Sequence, residues 1–236
     1  MRKFEVKDQY DLEDYRALIH LLRAPGGCPW DREQTHVSIR RNVLEEAYET
    51  AQAIDSGDTE NLKEELGDLL MQVLLHADME EEAGNFDLDD VADTACKKLV
   101  FRHPHVFGSV RADDPEAVLR TWDEQKMAEK GQKSVTDTLV SVPETLPALW
   151  RAEKIQKKAA ALPEREPDTA ENLPAAMKSM EEDGVTEETV GALLFAAVTA
   201  ARSGGIDPEA ALHSACNRFI RDFAAQEQLL SDPGIF

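Results

Sequence analysis

The sequence predicts an all-α protein. Helix-forming residues and apolar stripes with a spacing near 3.6 residues run along most of the 236 residues, whereas the alternation of β-branched residues that is typical of strands is almost absent. The sequence also contains a weak internal repeat. The segments at 67–71 and 86–96 are similar to those at 191–195 and 206–216. The chain is therefore predicted to contain two related helical modules.

The composition excludes several classes of function. A net charge of −21, from 26 basic and 47 acidic residues, argues against a protein that coats nucleic acid or a basic membrane binder. A phosphate-bearing ligand is still compatible, since divalent cations can invert a local acidic field. No apolar run is long enough to cross a membrane, and residues 1–10 are too charged for a signal peptide. The three cysteines lie far apart, which indicates reduced thiols, so we expect a cytoplasmic protein. The net charge and the short apolar runs predict that it has no nucleic-acid or membrane partners.

Two long helices are predicted ahead of the central one. The first runs from Tyr10 to Arg23, and a loop follows in which Cys28 and Trp30 are interpreted as packed residues. The second runs from 38 or 39 to 55. Its predicted core stripe consists of Val43, Ala47, Ala51 and Ile54. Its opposite face is polar and carries Asn42, Glu45, Glu46 and Glu49.

The central stretch, residues 61–77, has leucine and valine around most of a helical circumference, which is the pattern of a buried helix. A polar stripe interrupts it within about 80° of the circumference. The stripe consists of Asn61, Glu65, Asp68, Gln72 and His76. Buried carboxylates cost several kcal/mol each unless they are paired or bind a metal. The stripe therefore predicts a partner elsewhere in the chain.

The preceding helix supplies that partner. Glu46 and Glu49 form an E-x-x-E pair, and Glu65 and Asp68 form an E-x-x-D pair with the same spacing. Because antiparallel helices joined by a short loop pack side by side, the two pairs can converge on one space. Four carboxylates there would repel each other, and all-oxygen ligation suits Mg²⁺, with Mn²⁺ as a substitute. A solvated acidic face is the alternative interpretation.

Basic and aromatic candidates follow. A helix through 87–102 is predicted to bury Leu88, Val91, Ala95 and Leu99. On this helix Lys98 and Arg102 form either a surface pair or a phosphate-binding pair. A helix that begins at Asp114-Pro115 and stops at Gly131 carries Trp122, which is either a packing residue or a platform for a nucleobase.

The predicted modules are 1–131, which carries the site, and 146–236, with a polar linker at 132–145. The repeat serves as an internal control, because the second copy keeps the leucines and loses the polar stripe. At the five stripe positions it has Val185, Thr189, Ala192, Ala196 and Ala200. If folding required the stripe, the copy should have kept it. The carboxylates are therefore better explained by ligand chemistry, and the second module is interpreted as a structural, dimerising one.

Several motifs resemble the MazG-type nucleoside triphosphate pyrophosphohydrolases, and they cover nearly the whole chain. The matching stretches are 27–31, 33–35, 44–49, 64–70, 102–107, 147–149 and 154–157. The resemblance implies tandem all-α modules that pair into four-helix-like bundles in a homodimer. It also implies Mg²⁺-dependent hydrolysis of a nucleoside triphosphate to a monophosphate and pyrophosphate, as in nucleotide-pool housekeeping. The second half departs from the family pattern, because Thr189 and Ala192 replace its E-x-x-D pair.

The resemblance also implies roles for individual residues. The metal-binding and catalytic residues would be Glu46, Glu49, Glu65 and Asp68. The substrate-binding residues would be Lys98 and Arg102 at the phosphates, Asn42, Glu45 and Asn61 along the nucleotide, and Trp122 against the base.

Two rival functions are considered. A di-iron bundle requires paired Glu-x-x-His motifs, and Glu33 with His36 gives a single match outside the long helices. The other rival is a non-catalytic nucleotide sensor or interaction module. The loss of the carboxylates from the second half supports it. Pyrophosphate release separates catalysis from binding alone.

Overall fold

The computed structural model describes residues 4–108, 134–160 and 172–231, together with five single positions between 118 and 129. The described parts contain eleven helices and no strand, which confirms the all-α prediction. Six helices precede residue 108: α1 Leu12–Arg23, α2 Pro29–Glu33, α3 Arg40–Ser56, α4 Thr59–Ala83, α5 Leu88–Arg102 and α6 Pro104–Phe107. Five follow residue 134: α7 Val135–Val140, α8 Ala148–Ala159, α9 Leu173–Asp183, α10 Glu187–Ser203 and α11 Pro208–Ser231.

The chain divides into two compact units, Met1–Leu119 and Arg120–Phe236. The segment at 132–145, which we interpreted as a linker, contains the short helix α7. A reciprocal capping box between Ser134 and Asp137 starts that helix, because each side chain accepts a hydrogen bond from the other residue's backbone N–H.

Local capping explains where the helices of the first unit begin and end. Asp11, Asp58 and Asp87 each accept a backbone N–H bond at the start of α1, α4 and α5. Gly57 ends α3 with a φ of 69°, a left-handed backbone conformation that residues other than glycine rarely adopt. Only Gly57 and Asp58 separate α3 from α4, so these two helices form a tight antiparallel pair.

Helix α4 is the centre of the first unit and contacts α1, α3 and α5. Its C-terminal half is buried against α1 and the start of α3. The core cluster there consists of Ile19, Ile39, Leu74, Leu75 and Met79. A buried ion pair crosses the same region, where Arg23 Nε lies 3.3 Å from Asp78 Oδ2 and Arg23 Nη2 lies 2.8 Å from Glu82 Oε2.

The predicted core stripe of α3 is wrong. The helix packs on α4 through Thr50 and Ala53, which are buried, whereas Ile54 is 60% exposed. Periodicity identifies residues that share a face of a helix, but it does not show which face packs on a neighbour. Here α4 packs against the face of α3 that carries Thr50 and Ala53. Apolar residues are similarly exposed on α4 and α5, including the predicted core residues Val91 and Leu99. The uncovered apolar face of α3 and α4 consists of Leu44, Tyr48, Ile54, Leu66 and Val73.

The second unit repeats the packing order of the first. Helix α10 occupies the place of α4 and contacts α8, α9 and α11. Gln156 is buried on α8, and its Nε2 donates to the Phe195 carbonyl oxygen at 2.8 Å. The buried apolar residues of this unit are Val142, Ala159, Ala176, Ala196 and Val198.

In the described residues, no single helix has both the length and the apolar composition needed to cross a membrane. The pair Glu187–Ser203 and Pro208–Glu227, bent by 104°, meets these criteria only when the two helices are taken together. The pair is the core helix α10 and the beginning of α11.

Candidate active site

The pairing of α3 with α4 brings three of the predicted ligands together. Carboxylate oxygens of Glu46, Glu49 and Glu65 all lie within 4.8 Å of one another. Glu46 and Glu65 are half-buried, and Glu49 is exposed at the edge. In the part of the chain that the structure describes, this is the single group of His, Cys, Asp or Glu side chains with such spacing. We call these three residues the glutamate cluster.

Asp68 lies beside the glutamate cluster and acts on it electrostatically. Burial raises the pKa of Glu46, and the charges of Asp68, Glu49 and Glu65 raise it further. A side-chain hydrogen bond with Glu49 acts in the same direction. The pKa of Tyr15 is also raised, first by burial and then by the charge of Asp68. The charge of Asp68 therefore reaches Glu46, but Asp68 is not one of the three residues whose oxygens lie within 4.8 Å of one another.

The negative charge of the cluster is not compensated by the described part of the chain. Burial raises the pKa of Glu65, and the charges of Glu49, Asp68 and Glu64 add to it. None of the four predicted ligands forms an ion pair with a described lysine or arginine. A set of hard oxygen donors with excess negative charge fits a divalent cation that prefers oxygen ligands.

Thr50 links the two helices at the level of the cluster. Its side chain is buried, and its hydroxyl donates to the Glu46 carbonyl oxygen at 2.7 Å. The same hydroxyl lies 3.4 Å from the Glu65 carbonyl oxygen on α4. The hydroxyl thus joins the backbones of two cluster residues. Thr50 was not among the predicted site residues, although its position one turn after Glu46 is the signal that could have identified it.

The predicted substrate-binding residues occupy different environments. Asn42 and Asn61 are half-buried, and Asn61 donates its backbone N–H to the capping Asp58. Glu45 is exposed, and its Oε1 lies 2.7 Å from Arg41 Nε. The structure therefore places Glu45 in a surface ion pair rather than within the glutamate cluster.

The two residues of the predicted phosphate-binding pair differ in solvent exposure. Lys98 is exposed and lines a shallow groove on α5, whereas the Arg102 side chain is 6% exposed at the end of that helix. Trp122 belongs to the second compact unit and is half-buried.

A histidine pair next to the site was also missed. His36 stacks on His76 with ring centroids 4.9 Å apart, and its Nε2 lies 2.7 Å from Glu80 Oε1. No sequence pattern predicts this contact, because His36 precedes α3 and His76 lies far along α4. Local periodicity does not report contacts across that separation.

Comparison with known proteins agrees with this geometry. The MazG nucleotide pyrophosphohydrolase domain matches residues 34–107, a range that includes all four predicted ligands. A nucleoside triphosphate pyrophosphohydrolase/pyrophosphatase MazG from Thermotoga maritima is 37% identical over 229 residues, which cover 94% of this chain and 88% of the relative. The chain belongs to the MazG family. The name of the Thermotoga relative describes a hydrolase of nucleoside triphosphates.

Further MazG relatives differ in length. A nucleoside triphosphate pyrophosphohydrolase from Escherichia coli K12 is 38% identical over 230 residues, covering 92% of this chain and 88% of the relative. An uncharacterized protein YabN from Bacillus subtilis is 42% identical over 237 residues, covering 96% of this chain and 48% of the relative. The chain thus spans about half the length of YabN.

Proposed function

We propose that this MazG protein hydrolyses nucleoside triphosphates to nucleoside monophosphates and pyrophosphate in the presence of Mg²⁺. The observation that carries the proposal is the glutamate cluster, whose oxygens converge within 4.8 Å without a described basic partner. The names of the Thermotoga and Escherichia relatives support the reaction. The proposed role is housekeeping of the cytoplasmic nucleotide pool.

The proposed cation ligands are the glutamate cluster and Asp68. Mg²⁺ suits these oxygen donors, and Mn²⁺ is the expected substitute. A bound divalent cation supplies positive charge against the phosphate oxygens and lowers the pKa of a water molecule. Between the two helices, the carboxylates would keep such a cation at a fixed place relative to Thr50 and the backbone.

The chain's own side chains would divide the remaining work. A carboxylate oxygen of Glu46 or Glu49 accepts the proton of the water that attacks the α-phosphorus, and pyrophosphate leaves on the opposite side. Lys98 and Arg102 are the proposed cations for the phosphate oxygens. Asn42, Glu45 and Asn61 are proposed to line the nucleotide, and Trp122 to contact the base.

Pyrophosphate release tests the proposal. Each common nucleoside triphosphate is incubated with the full chain and Mg²⁺, and both products are measured. EDTA should abolish the release, and Mn²⁺ should restore it in part. Release of single phosphate groups, or no release from any nucleotide, would contradict the proposed reaction.

A binding role is the second candidate, because the second unit lacks the carboxylates. Thr189 is buried at the position that corresponds to Glu65, and Ala192 stands at that of Asp68. Nucleotide binding with Mg²⁺ but without turnover would favour a sensor over an enzyme.

A homodimer is the proposed assembly. The uncovered apolar face of α3 and α4 lies in the first unit, on the two helices that also carry the cluster. Large apolar side chains that gather on one exposed surface typically mark an interaction site. Pairing α3 and α4 with the same helices of a second copy would give a four-helix bundle.

A further inference from the structure

Helix α1 reaches the carboxylate-bearing part of α4 through a tyrosine hydroxyl. Tyr15 lies near the start of α1, and its hydroxyl donates to the Gly67 carbonyl oxygen on α4 at 3.2 Å. Gly67 stands between Glu65 and Asp68, two of the proposed cation ligands. The bond thus attaches α1 to the stretch of α4 that carries half of the proposed ligand set.

The position of Tyr15 is itself fixed by its surroundings. Its half-buried side chain packs against the core cluster of the first unit. The capping box of Asp11 and Asp14 sets where α1 begins, and the Tyr15 backbone N–H donates to the Asp11 carbonyl oxygen at 3.0 Å. Burial, and then the charge of Asp68, raise the pKa of Tyr15, so its hydroxyl remains protonated and able to donate near neutral pH.

Gly67 makes this stretch of α4 less rigid than another residue would. A glycine inside a helix costs about 1 kcal/mol relative to alanine, because its backbone has more conformational freedom to lose. Packing in the described part of the chain does not require this glycine, since a Cβ atom here would meet no atom of another helix within 4 Å. The backbone between Glu65 and Asp68 therefore gains from a restraint that comes from outside the helix.

Hydroxyl groups from two neighbouring helices supply that restraint. Thr50 on α3 places its hydroxyl 3.4 Å from the Glu65 carbonyl oxygen, and Tyr15 on α1 bonds the Gly67 carbonyl oxygen. Backbone carbonyl oxygens inside a helix already accept a bond from the residue four positions later, so neither contact is needed to satisfy the backbone. Each contact instead fixes α4 relative to a neighbouring helix at the level of the carboxylates.

The second unit lacks the carboxylates and attaches its central helix differently. Its Trp150-Arg151-Ala152 is similar in sequence to Tyr15-Arg16-Ala17 of the first unit. However, Trp150 Nε1 donates to Asp207 Oδ1 at 3.1 Å, at the start of the next helix, and no described side chain donates to the carbonyl oxygen of Gly191 on α10. The absence of both features from one unit is expected if the bond from Tyr15 serves the cation site.

Helix α1 has another, independent attachment to α4. Arg23 Nε lies 3.3 Å from Asp78 Oδ2, and His20 Nδ1 lies 2.8 Å from Asp78 Oδ1. Removal of the Tyr15 hydroxyl therefore leaves α1 in contact with α4 through these pairs. The expected change is confined to the part of α4 that carries the ligands.

We propose that Tyr15 is a positioning residue of the cation site, whose hydroxyl holds the Gly67 carbonyl oxygen and so fixes where α4 presents Glu65 and Asp68. This inference rests on the proposed function, because the cation is the one proposed for hydrolysis. Tyr15 acts through the backbone of α4 rather than by contact with the cation. Ligands that are held in place before binding lose less conformational entropy when the cation binds, so its affinity is higher.

The test measures Mn²⁺ binding by the full chain without nucleotide, using the electron paramagnetic resonance signal of free Mn²⁺. Tyr15→Phe should weaken Mn²⁺ binding by about fivefold, the size of one neutral hydrogen bond. Tyr10→Phe is the matched control, since the Tyr10 hydroxyl is exposed and accepts the backbone N–H of Lys7 at 2.9 Å. This control should bind Mn²⁺ as tightly as the wild type.

Asp78→Asn separates positioning from general stability. It weakens the other attachment of α1 to α4 and should lower the melting temperature more than Tyr15→Phe does, yet Mn²⁺ affinity should be unchanged. In the pyrophosphate assay, Tyr15→Phe should require about fivefold more Mg²⁺ for its half-maximal rate, as expected for one lost hydrogen bond. Saturating Mg²⁺ should restore the wild-type kcat.

Two results would overturn the positioning role alone. One is equal Mn²⁺ affinity in the wild type and Tyr15→Phe, and the other is an equal loss in Asp78→Asn, since the effect would then follow overall stability. Failure of the proposed hydrolysis is distinguishable, because a wild type that binds Mn²⁺ but releases no pyrophosphate refutes only the reaction. A wild type that binds no Mn²⁺ would refute the cation site together with this inference.

Discussion

At the residue scale, Glu65 is the most direct test of the cluster. Removing one ligand from a set of four should lower kcat/KM for pyrophosphate release by about two orders of magnitude in Glu65→Ala. Glu60→Ala is the matched control, since Glu60 lies on the same helix and is exposed in an ion pair with Lys63. It should retain full activity. Near-normal release by Glu65→Ala with Mg²⁺ present would refute the ligand assignment.

Thr50 should contribute to both stability and activity through a single hydroxyl. Thr50→Val keeps the shape of the side chain and removes both the bond to the Glu46 carbonyl oxygen on α3 and the 3.4 Å contact with the Glu65 carbonyl oxygen on α4. We expect the free energy of unfolding, measured with urea, to fall by about 1 kcal/mol. Activity should fall several-fold because the two helices are no longer joined at the cluster. Thr50→Ser should recover both values, and a silent Thr50→Val would contradict the linking role.

The raised pKa of Glu46 predicts how stability depends on pH in the metal-free protein. The folded state binds this proton more tightly than the unfolded chain, so the free energy of unfolding falls as pH rises through the raised pKa. The destabilisation persists at higher pH. Melting temperatures in EDTA should therefore decline more from pH 4 to pH 8 in wild type than in Glu46→Gln. Parallel curves for the two proteins would be inconsistent with this origin.

At the element scale, Asp78 is one of the residues that join α1 to α4. Its Oδ1 lies 2.8 Å from His20 Nδ1, and its Oδ2 lies close to the buried Arg23. Asp78→Ala leaves that arginine without one of its two carboxylate partners, so the free energy of unfolding should fall by about 3 kcal/mol. Asp93→Ala removes an exposed pair with Lys97 and should change it by less than about 1 kcal/mol. Chemical denaturation of both variants makes the comparison.

The elements also show what sequence patterns can predict. Glu46, Glu49 and Glu65 were predicted to converge because their spacing and the short loop at Gly57 are local features. The apolar core stripe of α3 was predicted incorrectly, since both faces of this helix have helical periodicity and only the packing against α4, through Thr50 and Ala53, distinguishes them. The His36–His76 contact depends on separate elements packing together. Such contacts have no signature within one helix.

At the scale of the whole molecule, the uncovered apolar face predicts self-association. Ile54→Glu places a charge on this face, so we expect the proposed dimer to dissociate in light scattering coupled to size-exclusion chromatography. Val140→Glu is the control, because Val140 is exposed on α7 in the second unit. A wild-type protein that is monomeric at all concentrations would refute the homodimer.

The short connection at Gly57 and Asp58 has a consequence for folding kinetics. It places every carboxylate of the proposed site on one helical hairpin, so the contacts among them are local in sequence. Local contacts form early, and the like charges must therefore approach before most of the core is in place. Their repulsion should slow closure of the hairpin at low salt. A divalent cation in the refolding buffer is accordingly expected to accelerate refolding in stopped-flow measurements. The cation that binds the folded site would then also promote formation of the hairpin that carries it.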